Sequence, residues 1–303
     1  MTDGVNSAIA IASADLPLAV GPAMSASGGF FMFIATLVAA EGLKAGDISE
    51  ACDALQGKAG PVIDGVACDI SFAEFRAPPE LSNRCDIIIQ PLADRHRKLL
   101  VADMDSTMIT VECIDELADY AGLKAEVSEV TERAMRGEID FAGALRDRVA
   151  LLAGMKESVI GECLAERVKL MGGAKELVTA FRAAGGTALL VSGGFTHFTG
   201  PVAAEIGFDR AIANRLIVKD GVLTGAVETP IVDAQTKKSV LIEALAGRDP
   251  AVSIAIGDGA NDIPMIEAAG LGIAYHAKPK TIAAADACVR FGDLNVVRYA
   301  LGL

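Results

Sequence analysis

Tryptophan is absent from the 303 residues, and tyrosine and histidine occur three times each. A chain so poor in large flat side chains is badly supplied with platforms for stacking bases. Positive charge is also scarce: 27 Lys plus Arg against 40 Asp plus Glu leave a net charge of −13. That balance excludes a general nucleic-acid or polyanion binder, because such binding draws on clustered positive charge. It leaves room for a small basic pocket inside an acidic protein. No C-x-x-C pair occurs among Cys52, Cys68, Cys85, Cys113, Cys163 and Cys288, and none has a histidine at zinc-ligand spacing. Thiols so diluted in a long apolar chain read as reduced, mostly buried and cytoplasmic. His96, His197 and His276 are equally scattered and take no role. No G-x-G-x-x-G follows a strand and there is no P-loop, which disfavours a nucleotide-binding module.

An uninterrupted hydrophobic run is missing too. The uncharged stretch between Asp15 and Glu41 is long enough to span a bilayer. However, Pro17, Gly21, Pro22, Ser25, Ser27, Gly28 and Gly29 break it, and only Phe30–Ala40 is densely apolar. The first Lys or Arg is Lys44, so the basic flank of a secretory signal is lacking. The expectation is a buried helix after a glycine-rich turn, in a soluble chain without a membrane partner.

What is present suffices for a sizeable core. Apolar residues make up 52% and charged ones 22%, and the length suits one large or two ordinary domains. Residues 1–95 predict a small α+β domain, with helices near Phe30–Leu43 and Ile48–Leu55 and strands at Val62–Ile70 and Cys85–Gln90. Pro91–Arg97 reads as a polar linker. From Lys98 short apolar strands alternate with longer helical stretches. The strands are Leu99–Asp103, Thr187–Ser192, Ser253–Asp258, Gly272–Tyr275 and Ala287–Val289; the helices are Ala174–Ala184, Thr236–Ala246 and Asp262–Ala269. The alternation implies an α/β, Rossmann-like parallel sheet over 96–303, with ligands at the carboxyl ends of its strands. Two segments depart from it. Residues 112–172 are almost purely helical, with Phe141, Leu145, Val149 and Leu152 at helical period, and read as an inserted cap. Ala211–Val227 reads as a hairpin turning at Lys219-Asp220-Gly221.

Chemistry concentrates where three of the strands end. Leu99–Ala102 runs into Asp103-Met104-Asp105-Ser106-Thr107, with two carboxylates at i and i+2 on one side of an extended chain. Such a pair can divide nucleophilic attack or metal binding from proton transfer, although Asp-rich turns also end strands for purely structural reasons. Ser192-Gly193-Gly194 ends a second strand with a hydroxyl and exposed backbone N–H groups suited to an anion, or with a plain glycine turn. Gly257-Asp258-Gly259-Ala260-Asn261-Asp262 ends a third. Its oxygen donors suit a hard cation, although Asn261 and Asp262 could equally cap the helix that follows. Lys237, near a helix start, could supply positive charge, although a single lysine there is more often solvated.

Taken together, D-x-D-S-T, S-G-G, a single lysine and G-D-G-x-N-D resemble the four motifs of the haloacid dehalogenase superfamily over residues 98–295. The register of those motifs selects Lys237 over Lys238. Further stretches resemble the members of that superfamily that hydrolyse O-phosphoserine, the last step of serine biosynthesis. They are Glu112 with Ile114–Ala118, Ala134–Gly137, Asp140-Phe141, Leu145–Val149 and Ala213–Leu216.

The resemblance implies that Asp103 attacks phosphorus and becomes an aspartyl-phosphate, while Asp105 protonates the leaving oxygen and later takes a proton from water. It implies magnesium held by Asp103, Asp258 and the Asp105 carbonyl. Lys237, Ser192, Gly193 and Asn261 would face the phosphate, and Asp262 would position Lys237 and the metal shell. In the cap it assigns Arg148 to the substrate carboxylate and Glu112 to its ammonium, with Met135 and Phe141 closing the pocket. Arg148 could instead be a solvated helix charge, and Met135 and Phe141 ordinary cap core. By analogy of position and size, residues 1–95 would be a ferredoxin-like, amino-acid-binding regulatory domain, and a homodimer is compatible with the resemblance. Three alternatives stay open: transfer of the phosphoryl group to an alcohol, hydrolysis of another small phosphate ester, and a catalytically silent amino-acid-binding protein. Loss of Asp103, Asp105, Lys237 or Asp258 would favour the last, and all four are present.

Overall fold

The computed structural model of the chain describes residues 23–24, 30–81, 85–135 and 138–303. The expected glycine-rich turn before Phe30 lies outside the described residues. Strands β1 (Ala23–Met24) and β2 (Phe30–Phe31) form a short antiparallel ladder. There follow β3 (Phe33–Val38), α1 (Ala45–Leu55), β4 (Lys58–Ile63), β5 (Ala67–Phe72) and β6 (Asp86–Pro91). These strands form an antiparallel sheet in the order β4-β5-β3-β6.

Two expectations are corrected in this part. The helix expected near Phe30–Leu43 is the strand β3. Ala35 and Leu37 pack on Ala51 and Leu55 of α1, while Val38, with Ala67 and Ile88, packs against Val296, Val297 and Ala300 near the chain end. A strand covered on both faces is apolar at nearly every position, which erases the alternation that would mark it as a strand. The continuous strand expected at Val62–Ile70 is instead a hairpin. It turns at Asp64 and Gly65, whose φ values of 52° and 74° are left-handed.

Nor is Pro91–Arg97 a free linker. Leu92–Asp94 makes one 3-10 turn, and Arg97 is buried, donating to the carbonyls of Ala251 and Ser253. Arg95 pairs with Asp69 at 2.7 Å and, with Gln90, donates to the carbonyls of Tyr299 and Ala300.

The larger sheet begins with β7 (Leu99–Ala102). The cap follows as α2 (Cys113–Tyr120), α3 (Lys124–Met135), α4 (Phe141–Leu151) and α5 (Ser158–Arg167). Then come α6 (Ala174–Ala183), β8 (Thr187–Phe195), α7 (Thr196–Ile206), β9 (Arg210–Asn214), β10 (Leu216–Lys219), β11 (Val222–Val227) and α8 (Ala234–Leu245). The chain finishes through β12 (Ser253–Gly257), α9 (Ile263–Ile266), β13 (Gly272–Tyr275), α10 (Pro279–Ala284), β14 (Ala287–Val289) and α11 (Asn295–Ala300). The sheet runs β14-β13-β12-β7-β8-β9, all pairs parallel.

From β7 the chain first builds outward through β8 and β9, then returns to build the other side from β12. The strand order therefore reverses at β7, and a doubly wound sheet has its crevice at that switch point, outside the carboxyl ends of β7, β8 and β12. The hairpin expected over Ala211–Val227 is narrower than the sequence suggested. Ala211–Asn214 belongs to β9 of the main sheet, and only β10 and β11 form the hairpin, turning at Asp220-Gly221. The helix expected at Asp262–Ala269 is the single turn α9.

Candidate active site

The site starts where β7 runs out. Asp103 continues the ladder for one residue, donating its N–H to the Ile256 carbonyl of β12, and its buried carboxylate accepts the Met104 N–H at 2.8 Å. Two residues on, Asp105 accepts the Cys113 N–H at 3.4 Å. Between Asp105 and the cap, Ser106 adopts a φ of 53°, a left-handed conformation uncommon for a non-glycine residue. Its hydroxyl donates to Glu112 at 2.7 Å. The loop thus turns sharply after Asp105 and leads straight into α2.

Lys237, projecting from α8, is 1% exposed and reaches two carboxylates, Asp103 at 2.6 Å and Asp262 at 2.8 Å. Burial alone would drive the proton from this amine, but the carboxylates outweigh it and hold the pKa above the ordinary lysine value. Asp262 precedes α9, where a capping role was open. Its side chain makes no cap bond; it accepts from Lys237 and from the Gly259 N–H at 3.1 Å. A side chain at Gly257 would occupy the space of the Asp262 carboxyl, so this strand end demands glycine.

One carboxylate oxygen each from Asp103, Asp258 and Asp262 lie within 4.8 Å of one another. Desolvation first, then mutual repulsion, raises Asp103, while Lys237 opposes the rise. The same two causes push Asp258 up to about 6, with Asp262 and Glu112 as the repelling charges. A cluster of oxygen-only donors whose charges repel is suited to a hard divalent cation.

The S-G-G turn of β8 lies beside these groups. The buried Ser192 Oγ accepts the Gly194 N–H at 2.8 Å. A Cβ on Gly194 would stand 3.1 Å from Asp105 Oδ2 and 3.0 Å from Ser192 Oγ, so the turn lies close against the second carboxylate. Asn261 folds its amide against Gly259, in the space a side chain there would take.

From the cap, the Phe141 ring lies over Gly193, with Cζ 3.2 Å from where a Cβ would be. Arg148, on the same helix, spends its Nε–H on the Ala144 carbonyl at 3.3 Å, and its other donors take no hydrogen-bond partner among the described residues. Desolvation lowers its pKa against the pull of Asp115, Glu112 and Asp105. Burial and the charge of Glu112 push Asp105 up to about 7, opposed by its hydrogen bonds from Cys113. The structure therefore gathers Asp103, Asp105, Asp258, Asp262, Lys237, Ser192, Gly193, Asn261, Phe141, Glu112 and Arg148 around one crevice. Met135 ends α3, and its side chain lies outside the described residues. Sequence reasoning assigned no role to Ser106, Asp115 or Asn214, although all three lay in stretches that it singled out.

A buried ammonium between two carboxylates, a hydroxyl-and-glycine anion cradle and a further carboxylate, all at the switch point of a parallel sheet, define a phosphoryl-transfer enzyme. The model of the haloacid dehalogenase-like hydrolases matches residues 100–267, and the chain belongs to that family. It is 48% identical over 220 residues to a phosphoserine phosphatase of Albidiferax ferrireducens, covering 69% of this chain and 93% of the relative. A probable phosphoserine phosphatase of Vibrio cholerae superposes with a TM-score of 0.73 at 33% identity, covering 89% of this chain and 86% of its own. A substrate-bound phosphoserine phosphatase matches at a TM-score of 0.62 and 38% identity, covering 67% and 98%.

Proposed function

We propose that the chain is a magnesium-dependent phosphoserine phosphatase, hydrolysing O-phosphoserine to serine and phosphate in the cytoplasm. An Asp103 oxygen attacks phosphorus, the bond from phosphorus to the serine oxygen breaks, and Asp105 gives that oxygen a proton. Water then attacks the aspartyl-phosphate, Asp105 takes its proton, and the bond between Asp103 and phosphorus breaks. A group poised near pH 7, as Asp105 is, can serve in both directions.

Asp103, Asp258 and the Asp105 carbonyl would hold magnesium, which offsets the repulsion between a carboxylate nucleophile and a phosphate dianion. Lys237 contributes positive charge on the same side. Ser192, Gly193 and Asn261 bind phosphate oxygens, and Asp262 fixes Lys237. Phe141 and Met135 exclude water, Arg148 takes the substrate carboxylate and Glu112 its ammonium. In the same reading the chain divides near residue 95, with the catalytic part at 96–303, the cap at about 112–172, and an amino-acid-binding regulatory unit in front.

The observation that carries the substrate assignment is the approach of oppositely charged Glu112 and Arg148 to Asp105 from the cap. A zwitterionic substrate needs both signs of charge beside its phosphate. The test is a panel of phosphorylated metabolites assayed with and without magnesium. Phosphoserine should turn over fastest and only with the metal; faster turnover of sugar phosphates would sink the assignment.

A further inference from the structure

Asn214, the last residue of β9, has no part in the steps above, yet it is 2% exposed and bonded wholly to backbone. Its Nδ2 donates to the Gly193 carbonyl at 2.8 Å and to the Val232 carbonyl at 3.4 Å, while its Oδ1 accepts the Val232 N–H at 2.7 Å. One amide therefore ties together two segments far apart in sequence. On one side is the turn that cradles the anion. On the other is the residue before Asp233, which caps α8 by accepting the Thr236 N–H at 2.8 Å and whose carbonyl accepts the Lys237 N–H.

The consequence on the β8 side follows from peptide planarity. The Gly193 carbonyl and the Gly194 N–H belong to one trans peptide and point in opposite directions. Holding the carbonyl with Asn214 turns the N–H toward Ser192 Oγ, where it is found at 2.8 Å. Because that oxygen accepts from Gly194, the hydroxyl proton of Ser192 is left for an acceptor in the crevice. On the α8 side, fixing Val232 fixes the start of the helix that aims Lys237 at Asp103.

We propose that Asn214 is a positioning residue that sets the phosphate cradle, holding the Ser192–Gly194 turn and the launch of α8 at one fixed separation. The proposal rests on the phosphatase reading for the identity of the anion. It does not depend on which phosphate ester is the substrate.

The test uses the full chain and two variants that add no charge, Asn214→Ala and Asn214→Ser. Inorganic phosphate is titrated calorimetrically in the presence of magnesium, and turnover of p-nitrophenyl phosphate is measured alongside. The expected result is a phosphate Kd weakened about tenfold in Asn214→Ala, a kcat on the aryl ester lowered roughly 30–100-fold, and an unmoved midpoint for magnesium activation. Asn214→Ser, which keeps a short donor and acceptor, should fall between Asn214→Ala and the parent. A merely structural role would reduce the number of competent molecules, lowering binding stoichiometry and Vmax while Kd and KM stayed at parental values. The Kd values are compared at a temperature where the far-ultraviolet circular dichroism of each variant equals the parent's, because a reversibly unfolded fraction would itself weaken the apparent Kd. A phosphate Kd within twofold of the parent in both variants would overturn the proposal. Failure of the parent to hydrolyse phosphoserine would instead overturn the substrate reading and leave the Kd comparison intact.

Discussion

Lys237 and its two carboxylates show how sharply a single residue can be constrained. A lysine this deeply buried keeps its proton only because Asp103 and Asp262 stand within 2.8 Å of it, and the two acids tolerate each other only because it stays charged. Asp103→Asn should therefore fold, since Lys237 keeps Asp262, while phosphate release from phosphoserine falls by about 10⁴-fold or more in a steady-state assay.

Asp258 gives a pH-dependent readout. Its folded pKa of about 6 lies above the ordinary 3.8, so between those values the folded chain holds a proton that the unfolded chain has released. Stability from this group is full below about pH 4 and is lost as the pH rises through 6. Urea midpoints of the metal-free protein, compared with Asp258→Asn, should show the parent losing on the order of 1 kcal/mol across that window once solvent screening is allowed for. Added magnesium should reverse the trend by favouring the charged carboxylate.

The convergence of the strand-end acids was legible in the sequence because each follows a short apolar strand of one predicted sheet. Asn214 was not, because its partners are backbone groups, which leave no trace in residue type.

At the scale of elements, α4 carries Phe141 and Arg148, two of the cap residues at the crevice. It starts at Asp140, whose carboxylate accepts the Gly143 N–H at 2.6 Å, and it presents Phe141 at its first turn and Arg148 two turns later. Asp140→Ala should cost about 1 kcal/mol of stability and raise KM for phosphoserine severalfold, with the KM for p-nitrophenyl phosphate unchanged. Arg148→Ala should raise KM for phosphoserine about 30-fold by removing the proposed partner of the substrate carboxylate, again sparing the aryl ester. Equal effects on both substrates would place these residues outside substrate recognition.

The cap was readable as an insertion because its helical period breaks the strand–helix alternation. β3 was not, because both of its faces are covered. The Asp64-Gly65 hairpin carried a usable D-G signal that the strand reading of Val62–Ile70 ran through.

At the scale of the whole molecule, the first sheet is fastened to the second by polar groups as well as by core. Asp86, at the start of β6, accepts the N–H groups of Arg290, Phe291 and Gly292 at 2.7, 3.3 and 2.7 Å. Asp86→Ala leaves these donors without their acceptor and should lower stability by about 3 kcal/mol or more in urea titrations, with little change in KM for either substrate. These contacts were invisible in the sequence, since nothing local marks an aspartate for partners so remote. Among the described residues no helix is long and apolar enough to cross a membrane, and none of the six cysteines is in a disulfide.

That remoteness also has a consequence in time. The partners of Asp86 lie 204 to 206 residues further along the chain, and α11, which covers the second face of the first sheet, lies there too. At ordinary rates of translation, roughly 10–40 s separate the emergence of β6 from that of the residues that cover it. During that interval Val38, Ala67 and Ile88 have no native cover, so the four-stranded sheet, made before the six-stranded one, waits for the end of that sheet's synthesis to be completed.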